Sequence, residues 1–271
     1  MNKNKEKQIE LIELEYPLYK NATSKREIRH DFFKNIQTEI QAYLLGFHAA
    51  DGSLDEERKM FRVKLQERDN EIVDLYKIIS PDARTFRSDG YESKATVRGR
   101  TIKTNAIYGI EITSKILVTD LVDLGFGYRK TYLENNLPNI PEHLIRHFIR
   151  GYFDGDGCIT CSVREPKPIE LQTSKDAKKA RVVQSFQIDS KTITIINDII
   201  NFVKRFDINL NYSYLKRDDM HRLSISSKKE VEKVFHFLYD DSNFYLKRKF
   251  DKFNYYVNTE VSQIITDHRN A

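Results

Sequence analysis

The sequence predicts an α+β fold built as two pseudo-symmetric halves, each of order αββαββα. Three observations carry this. One ten-residue stretch occurs twice, the elements after each copy follow in the same order, and their strands alternate apolar with polar residues. The first copy is Tyr43-Leu44-Leu45-Gly46-Phe47-His48-Ala49-Ala50-Asp51-Gly52. The second, 105 residues later, is Phe148-Ile149-Arg150-Gly151-Tyr152-Phe153-Asp154-Gly155-Asp156-Gly157. Each reads as an apolar helix with an interior glycine, a small residue four positions on, and a terminal Asp-Gly. Such a repeat marks an internal duplication. Strands with one polar face, covered by helices on the other, imply two antiparallel sheets with one wet face each.

The repeated helices come first because the rest depends on them. A glycine inside a helix costs roughly 1 kcal/mol against alanine, so its presence suggests a packing reason. Gly46/Ala50 and Gly151/Gly155 lie at i and i+4, on one face of their helix. Two such faces can pack backbone to backbone. That pairing is expected to bring Asp51 and Asp156, both at helix C-terminal ends, side by side.

Residues 1–36 read as an N-terminal extension, 37–136 as the first half and 137–271 as the second. The extension carries a short amphipathic pattern (Ile9, Ile12, Tyr16) and a basic segment from Lys25 to Arg29. A truncated helix-turn-helix and a clamp fit it equally. Thr38-Glu39-Ile40-Gln41 reads as a capping box that starts the first repeated helix. Phe61, Val63 and Leu65 then alternate with Arg62, Lys64 and Gln66, the period of a half-buried strand. A helix is predicted from Asp69 to Ile79, strands around 83–87 and 106–113, and a helix from Ser114 to Leu124 closed by Gly125. In the second half Pro141 suits the first position of the repeated helix. Strands at 158–163 and 182–188 follow, then a helix from Thr192 to Phe206 capped by Ser190. A hairpin of strands 210–215 and 222–226 around Arg217-Asp218-Asp219, and helices at Lys228–Tyr239 and Leu246–Val257, finish the second half.

Composition narrows the classes. The chain has 271 residues, 39% hydrophobic and 31% charged, with both signs mixed. That suits real cores and argues against wholesale disorder. Net charge is +5, yet unevenly placed. Between Arg84 and Asn105 six basic residues (Arg84, Arg87, Lys94, Arg98, Arg100, Lys103) face two acidic ones, and Lys175–Arg181 carries four positives against Asp176. Such concentrations are the footprint of a polyanion partner or, more plainly, solvated loops. The chain has no 18-residue apolar stretch to span a membrane, and MNKNKEKQIE has no apolar signal core. The two cysteines suit a reducing compartment. Together these lead us to expect a cytoplasmic or nucleoid-associated protein of a bacterial or phage-like host, with an organelle left open. Cys158 and Cys161 would point to opposite strand faces and read as structural, as do His143 and His147, which have no third ligand nearby in sequence.

The double motif, LLGFHAADG and IRGYFDGDG, resembles the LAGLIDADG homing endonucleases in their single-chain, two-motif form. Ala49 stands where the pattern has its first aspartate, a departure in copy one. The resemblance covers roughly residues 37 to 258 and implies a DNA-binding saddle of antiparallel sheets. It implies a site-specific, metal-dependent double-strand DNA endonuclease that acts as a monomer on a long asymmetric site, in intron or gene homing. Asp51 and Asp156, with the backbone carbonyls of Ala50 and Gly155, would hold two or three Mg²⁺ ions, with Mn²⁺ or Ca²⁺ able to substitute in binding. One carboxylate per half can suffice because Mg²⁺ takes hard oxygen ligands and keeps waters, and the negative end of each helix favours a cation. The resemblance carries a lysine role to Lys130 and Lys249 and a strand-glutamine role to Gln187, with Lys64 as the matching residue in half one. On the faces read as wet, Arg62, Lys64, Gln66, Ser185 and Gln187, with Tyr212, Tyr214 and Lys216 in the last hairpin, are candidates to read bases in a major groove. Arg84, Arg87, Arg98, Arg100 and Lys103 are candidates for phosphate contacts. The alternative on the same fold is an RNA maturase acting on its own intron, or a non-cleaving DNA-binding regulator.

Overall fold

The computed structural model describes residues 3–21, 25–90, 92–97, 100–128, 136–166 and 179–270, with the backbone alone at 92–97 and 100–103. The chain forms two compact units, Met1–Gly155 with Ser242–Leu246, and Asp156–Asp241 with Lys247–Ala271.

The first unit opens with α1 (Lys3–Glu15) and a short pair, β1 (Tyr19–Lys20) and β2 (Glu27–Ile28). The first repeated helix, α2 (Glu39–Asp51), leads into β3 (Gly52–Asp55), β4 (Met60–Gln66), α3 (Asn70–Leu75) and β5 (Arg84–Ser88). A hairpin of β6 (Glu92–Val97) and β7 (Arg100–Lys103) precedes β8 (Ile107–Thr113), α4 (Lys115–Asp123) and the second repeated helix, α5 (Glu142–Asp156). The second unit contains β9 (Gly157–Arg164), β10 (Arg181–Ser190), α6 (Ile193–Lys204), β11 (Asn211–Leu215), β12 (Met220–Ile225), α7 (Lys228–Tyr239), α8 (Lys247–Asn258) and α9 (Val261–Asn270). Each unit holds one four-stranded sheet, β3-β4-β8-β5 and β11-β12-β10-β9, antiparallel throughout. The architecture is α+β, as predicted, and the αββαββα order holds in both halves apart from the β6–β7 hairpin inserted in the first; α9 was not among the predicted elements. Among the described residues no helix is long and apolar enough to cross a membrane.

The capping box forms as expected: Thr38 Oγ1 accepts from the Gln41 N–H, and Gln41 Oε1 accepts from the Thr38 N–H at 3.1 Å. Every residue of α2 from Glu39 to Ala49 is buried, which makes it a core helix rather than an amphipathic one. It packs on α5 with no side chain between the backbones. A Cβ on Gly46 would lie 2.0 Å from the Phe148 carbonyl oxygen, and one on Gly151 would lie 2.0 Å from that of Tyr43. The sheet seals the other side of α2. Phe61, Val63 and Leu65 of β4 are buried, whereas Arg62 is half-buried and Lys64 and Gln66 are exposed, so the predicted alternation holds. The Tyr76 hydroxyl donates to the Leu44 carbonyl at 2.8 Å and ties the sheet-side turn to α2.

A buried ionic cluster clamps the strap Ser242–Leu246 to both repeated helices. Arg150, fully buried, donates to Glu39 Oε1 at 2.6 Å, to the Phe244 carbonyl at 2.8 Å and to His147 Nδ1 at 2.8 Å. Because arginine only donates, Nδ1 accepts and the imidazole is neutral. Burial first, then Arg150, pushes the His147 pKa down to about 3. Burial alone would raise the Glu39 carboxyl, but Arg150 and Asn243 outweigh it and hold it below its usual range. Asp154 accepts from the Tyr43 hydroxyl at 2.8 Å and the Leu246 N–H at 2.7 Å.

Some expectations move. The helix read over 69–79 is shorter, α3 being flanked by 3-10 turns at Glu67–Asp69 and Tyr76–Ile78. The basic stretch after β5 is itself a hairpin, β6–β7. Thr192, not Ser190, is the N-cap of α6; the Ser190 hydroxyl accepts from the Thr192 N–H at 3.2 Å, two residues outside.

Candidate functional site

Both repeated helices end the same way. Asp51 and Asp156 are exposed at the last position of α2 and α5, after helices that are buried almost throughout, and Ala50 and Gly155 are half-buried just before them. Each Asp is followed at once by a strand, β3 or β9, so the carboxylates stand where helix C-terminus meets sheet edge. In the first unit, a Cβ on Gly155 would come 2.3 Å from Ala50 Cβ and 3.4 Å from Asp51 Oδ2. The missing side chain thus leaves the Asp51 carboxylate room at the helix ends. Burial and then the Asp51 charge raise the Tyr76 phenol well above its ordinary pKa.

The second unit gathers more groups around Asp156. Lys249 on α8 is 7% exposed, and its ammonium donates to the Gly157 carbonyl at 2.6 Å, directly after Asp156. Gln187 on β10 is half-buried and pairs with Cys158, with Ile188 opposite Gly157. Gln187 and Lys249 therefore flank the start of β9, directly after Asp156. Lys130, the expected counterpart of Lys249, lies outside the described residues. His143 is exposed and His147 sits in the Arg150 cluster, so the pair is not a ligand set. No group of three His, Cys, Asp or Glu side chains is placed to hold a metal among the described residues. Cys158 and Cys161 are free thiols.

Cross-strand register sorts the candidate contacts, because directly paired residues share a face. On the polar face of the first sheet one row runs Ser53, Arg62, Glu111, Arg84, and the next includes Lys64, Gly109 and Phe86. Gln66 shares the row of Ile107 and Ser88. On the second sheet Cys158, Gln187, Ser224 and Asn211 form one row, with Ser185 opposite Thr160 on the same face. The register corrects three readings. Val63 opposite Gly52 matches Ile188 opposite Gly157, so the half-one counterpart of Gln187 is Arg62, not Lys64. Arg87 pairs with Tyr108, which pairs with buried Leu65, so it lies on the face opposite Arg84 and bonds Glu67 at 2.8 Å. Tyr212 and Tyr214 share the face of buried Leu223 and Ile188, at the open edge of the sheet, because two strands of pairing place them there. Lys216 is exposed in the β11–β12 turn. Arg98 lies outside the described residues, and Arg100 and Lys103 are on β7, known by backbone alone.

Sequence reasoning missed Glu111, Phe86 and Ser224, since only strand register reveals them. Arg62 donates to Glu111 through Nε at 2.9 Å and Nη2 at 2.8 Å, while Arg84 lies 3.4 Å from the other carboxylate oxygen. The Phe86 ring covers Gly109, where a Cβ would meet it at 2.4 Å.

Residues 149–264 match the family model described as LAGLIDADG endonuclease. The match covers less than half of the chain and falls on its second half. The matched segment contains Gly151, Asp156, Gln187 and Lys249, while the first copy of the repeat, with Asp51, precedes it. No curated protein matches the chain. Among solved structures, the I-SmaMI LAGLIDADG homing endonuclease bound to cleaved DNA is 12% identical, covers 87% of this chain and 92% of its own, and has a TM-score of 0.50. A mutant of I-SmaMI, also 12% identical, covers 86% of this chain and 97% of its own at a TM-score of 0.52. At that identity the likeness is one of fold: the chain shares the α+β fold of those structures.

Proposed function

We propose that the chain is a site-specific, metal-dependent DNA endonuclease that makes a double-strand break by hydrolysing phosphodiester bonds in both strands of a long asymmetric site, as in intron or gene homing. The observation that carries this is the equivalence of the two motif ends: an exposed Asp closing a buried core helix, a small residue before it and a strand after it, twice in one chain. Hydrolysis needs an activated water and relief of charge on the phosphate, which a bound divalent cation such as Mg²⁺ supplies.

The donors at each motif end fit such a cation. Asp51 and Asp156 offer hard carboxylate oxygens, Ala50 and Gly155 offer carbonyls at the negative end of a helix, and the glycine keeps space beside Asp51 open. The Lys249 ammonium, anchored on the Gly157 carbonyl, places positive charge beside the second motif end, where it would stabilise the phosphate and leaving oxygen. Gln187, with both amide donors and acceptor, would orient the attacking water or a base edge. The polar sheet faces would take the duplex, with Arg62, Lys64, Gln66, Ser185 and Gln187 toward bases and Arg84 toward phosphates.

The test selects duplexes that the purified chain binds from a randomised library, then incubates them with Mg²⁺. Linear products from supercoiled substrate, lost on chelation, support the reading. Binding without cleavage would favour a non-cleaving regulator, and preference for structured RNA over duplex DNA would favour a maturase.

A further inference from the structure

We propose that Glu111 is a positioning residue that sets base discrimination on the first sheet by holding Arg62 in one orientation, at the expense of DNA affinity. This rests on the endonuclease reading of the polar sheet faces. A carboxylate on a surface that meets a polyanion lowers affinity, so its presence in the middle of the face asks for a reason.

Three observations supply one. Glu111 sits on the inner strand β8, directly opposite Arg62 on one side and Arg84 on the other, and its side chain is only 13% exposed. Arg62 gives it both Nε and Nη2, at 2.9 and 2.8 Å to a single oxygen, a two-point grip that fixes the guanidinium plane. Arg84 approaches the second oxygen at 3.4 Å and keeps a side chain 63% exposed. The two arginines are thus unequal: one is locked, the other only steered.

The fold does not require the carboxylate. At the same register on the second sheet, opposite Gln187, stands Ser224. Solvent screening discounts the contribution of Glu111 to folding, because the Arg62 and Arg84 side chains are 36% and 63% exposed. What the grip does is remove rotamer freedom from a long side chain before any duplex arrives. The Nε edge of the guanidinium is taken, which leaves the outer Nη edge of the fork presented. That edge is the one that can bond guanine O6 and N7 as a pair. Arg84, more exposed and less tightly held, is suited to a phosphate.

The experiment measures affinities of wild type, Glu111→Gln, Arg62→Ala and the double variant for a duplex that the wild type selects from a randomised library and for a scrambled duplex. Glu111→Gln removes one negative charge and should strengthen scrambled-DNA binding about two- to threefold. The cognate-to-scrambled ratio should fall about tenfold, at the base positions that Arg62→Ala also relaxes. The double variant should lose no more discrimination than Arg62→Ala alone, because the two act as one unit. Glu111→Asp, which keeps the charge but shortens the reach, should lose discrimination without the gain on scrambled DNA; it also serves if the glutamine variant folds poorly. An unchanged ratio in both Glu111 variants, with the wild type still selecting and cutting a site, overturns the positioning role and leaves the nuclease reading intact. A wild type that selects no duplex overturns both.

Discussion

Gly46 meets the backbone of Phe148 so closely that a Cβ on it would stand 2.0 Å from the carbonyl oxygen, and Gly151 repeats the contact on Tyr43. The two contacts are reciprocal, since Gly151 and Phe148 each lie 105 residues after Gly46 and Tyr43. Alanine at either glycine would gain roughly 1 kcal/mol of helix propensity. It would also drive a methyl into a backbone atom that cannot step aside, and overpacking of that kind costs typically 1–3 kcal/mol or more. The clash should win. Gly46→Ala and Gly151→Ala are expected to lower the melting temperature by several degrees, and unchanged melting would mean that the helices do not cross at these positions.

Gly155 offers a sharper version of the same test. Its neighbour is the Ala50 side chain, 2.3 Å from where a Cβ would be. Gly155→Ala should destabilise by about 1–3 kcal/mol, whereas the exchange Ala50→Gly/Gly155→Ala should recover most of the loss. Denaturant titration of the three variants measures this, and an exchange as unstable as the single variant would contradict it.

Acid should weaken the clamp around Arg150. His147 is held neutral with its pKa pushed down to about 3, by burial first and then by Arg150. Between pH 6.5 and 3 the unfolded chain binds a proton that the folded one refuses. Stability is therefore full above 6.5 and falls as pH drops, by at most about 1.4 kcal/mol per pH unit. Asp120 acts with the opposite sign below pH 6, because burial first raises its carboxyl to about 6. The clean window is pH 7.5 to 6, and the clean quantity is the difference between wild type and His147→Gln. Wild-type melting should drop across that window more steeply than that of the glutamine variant; parallel curves would show that His147 does not titrate against the fold.

Arg84 and Gln187 should separate on DNA. Arg84→Ala is expected to reduce the slope of log K against log salt by roughly 0.9 and to weaken cognate and scrambled duplexes alike. Gln187→Ala should leave the slope and relax preference at one or two positions by about 1–3 kcal/mol. Binding isotherms at several salt concentrations decide both, and an unchanged slope for Arg84→Ala would place the phosphate path elsewhere.

What was readable in the sequence was what is periodic. The alternation of Phe61, Val63 and Leu65 with Arg62, Lys64 and Gln66 gave β4 and its faces, and the glycines gave the backbone crossing of α2 and α5. Thr38 and Gln41 marked the helix start through a local hydrogen-bond pattern. Register was not readable, because it is fixed by which strands pair and where. That is why Lys64 stood in for Arg62, why Tyr212 and Tyr214 changed faces, and why Glu111 went unnoticed between two arginines distant in sequence. The partners of Arg150, Glu39 and the Phe244 carbonyl, come from far along the chain, so its burial was not readable from the motif either.

The most direct test of the account replaces one carboxylate oxygen at each motif end. On a duplex selected by the wild type, with Mg²⁺ present, Asp51→Asn and Asp156→Asn are each expected to lower double-strand cleavage at least a hundredfold, in line with loss of a group that holds charge at the reacting phosphate, while binding stays within a few-fold. Cleavage by either variant within tenfold of wild type would contradict the assignment of these two aspartates.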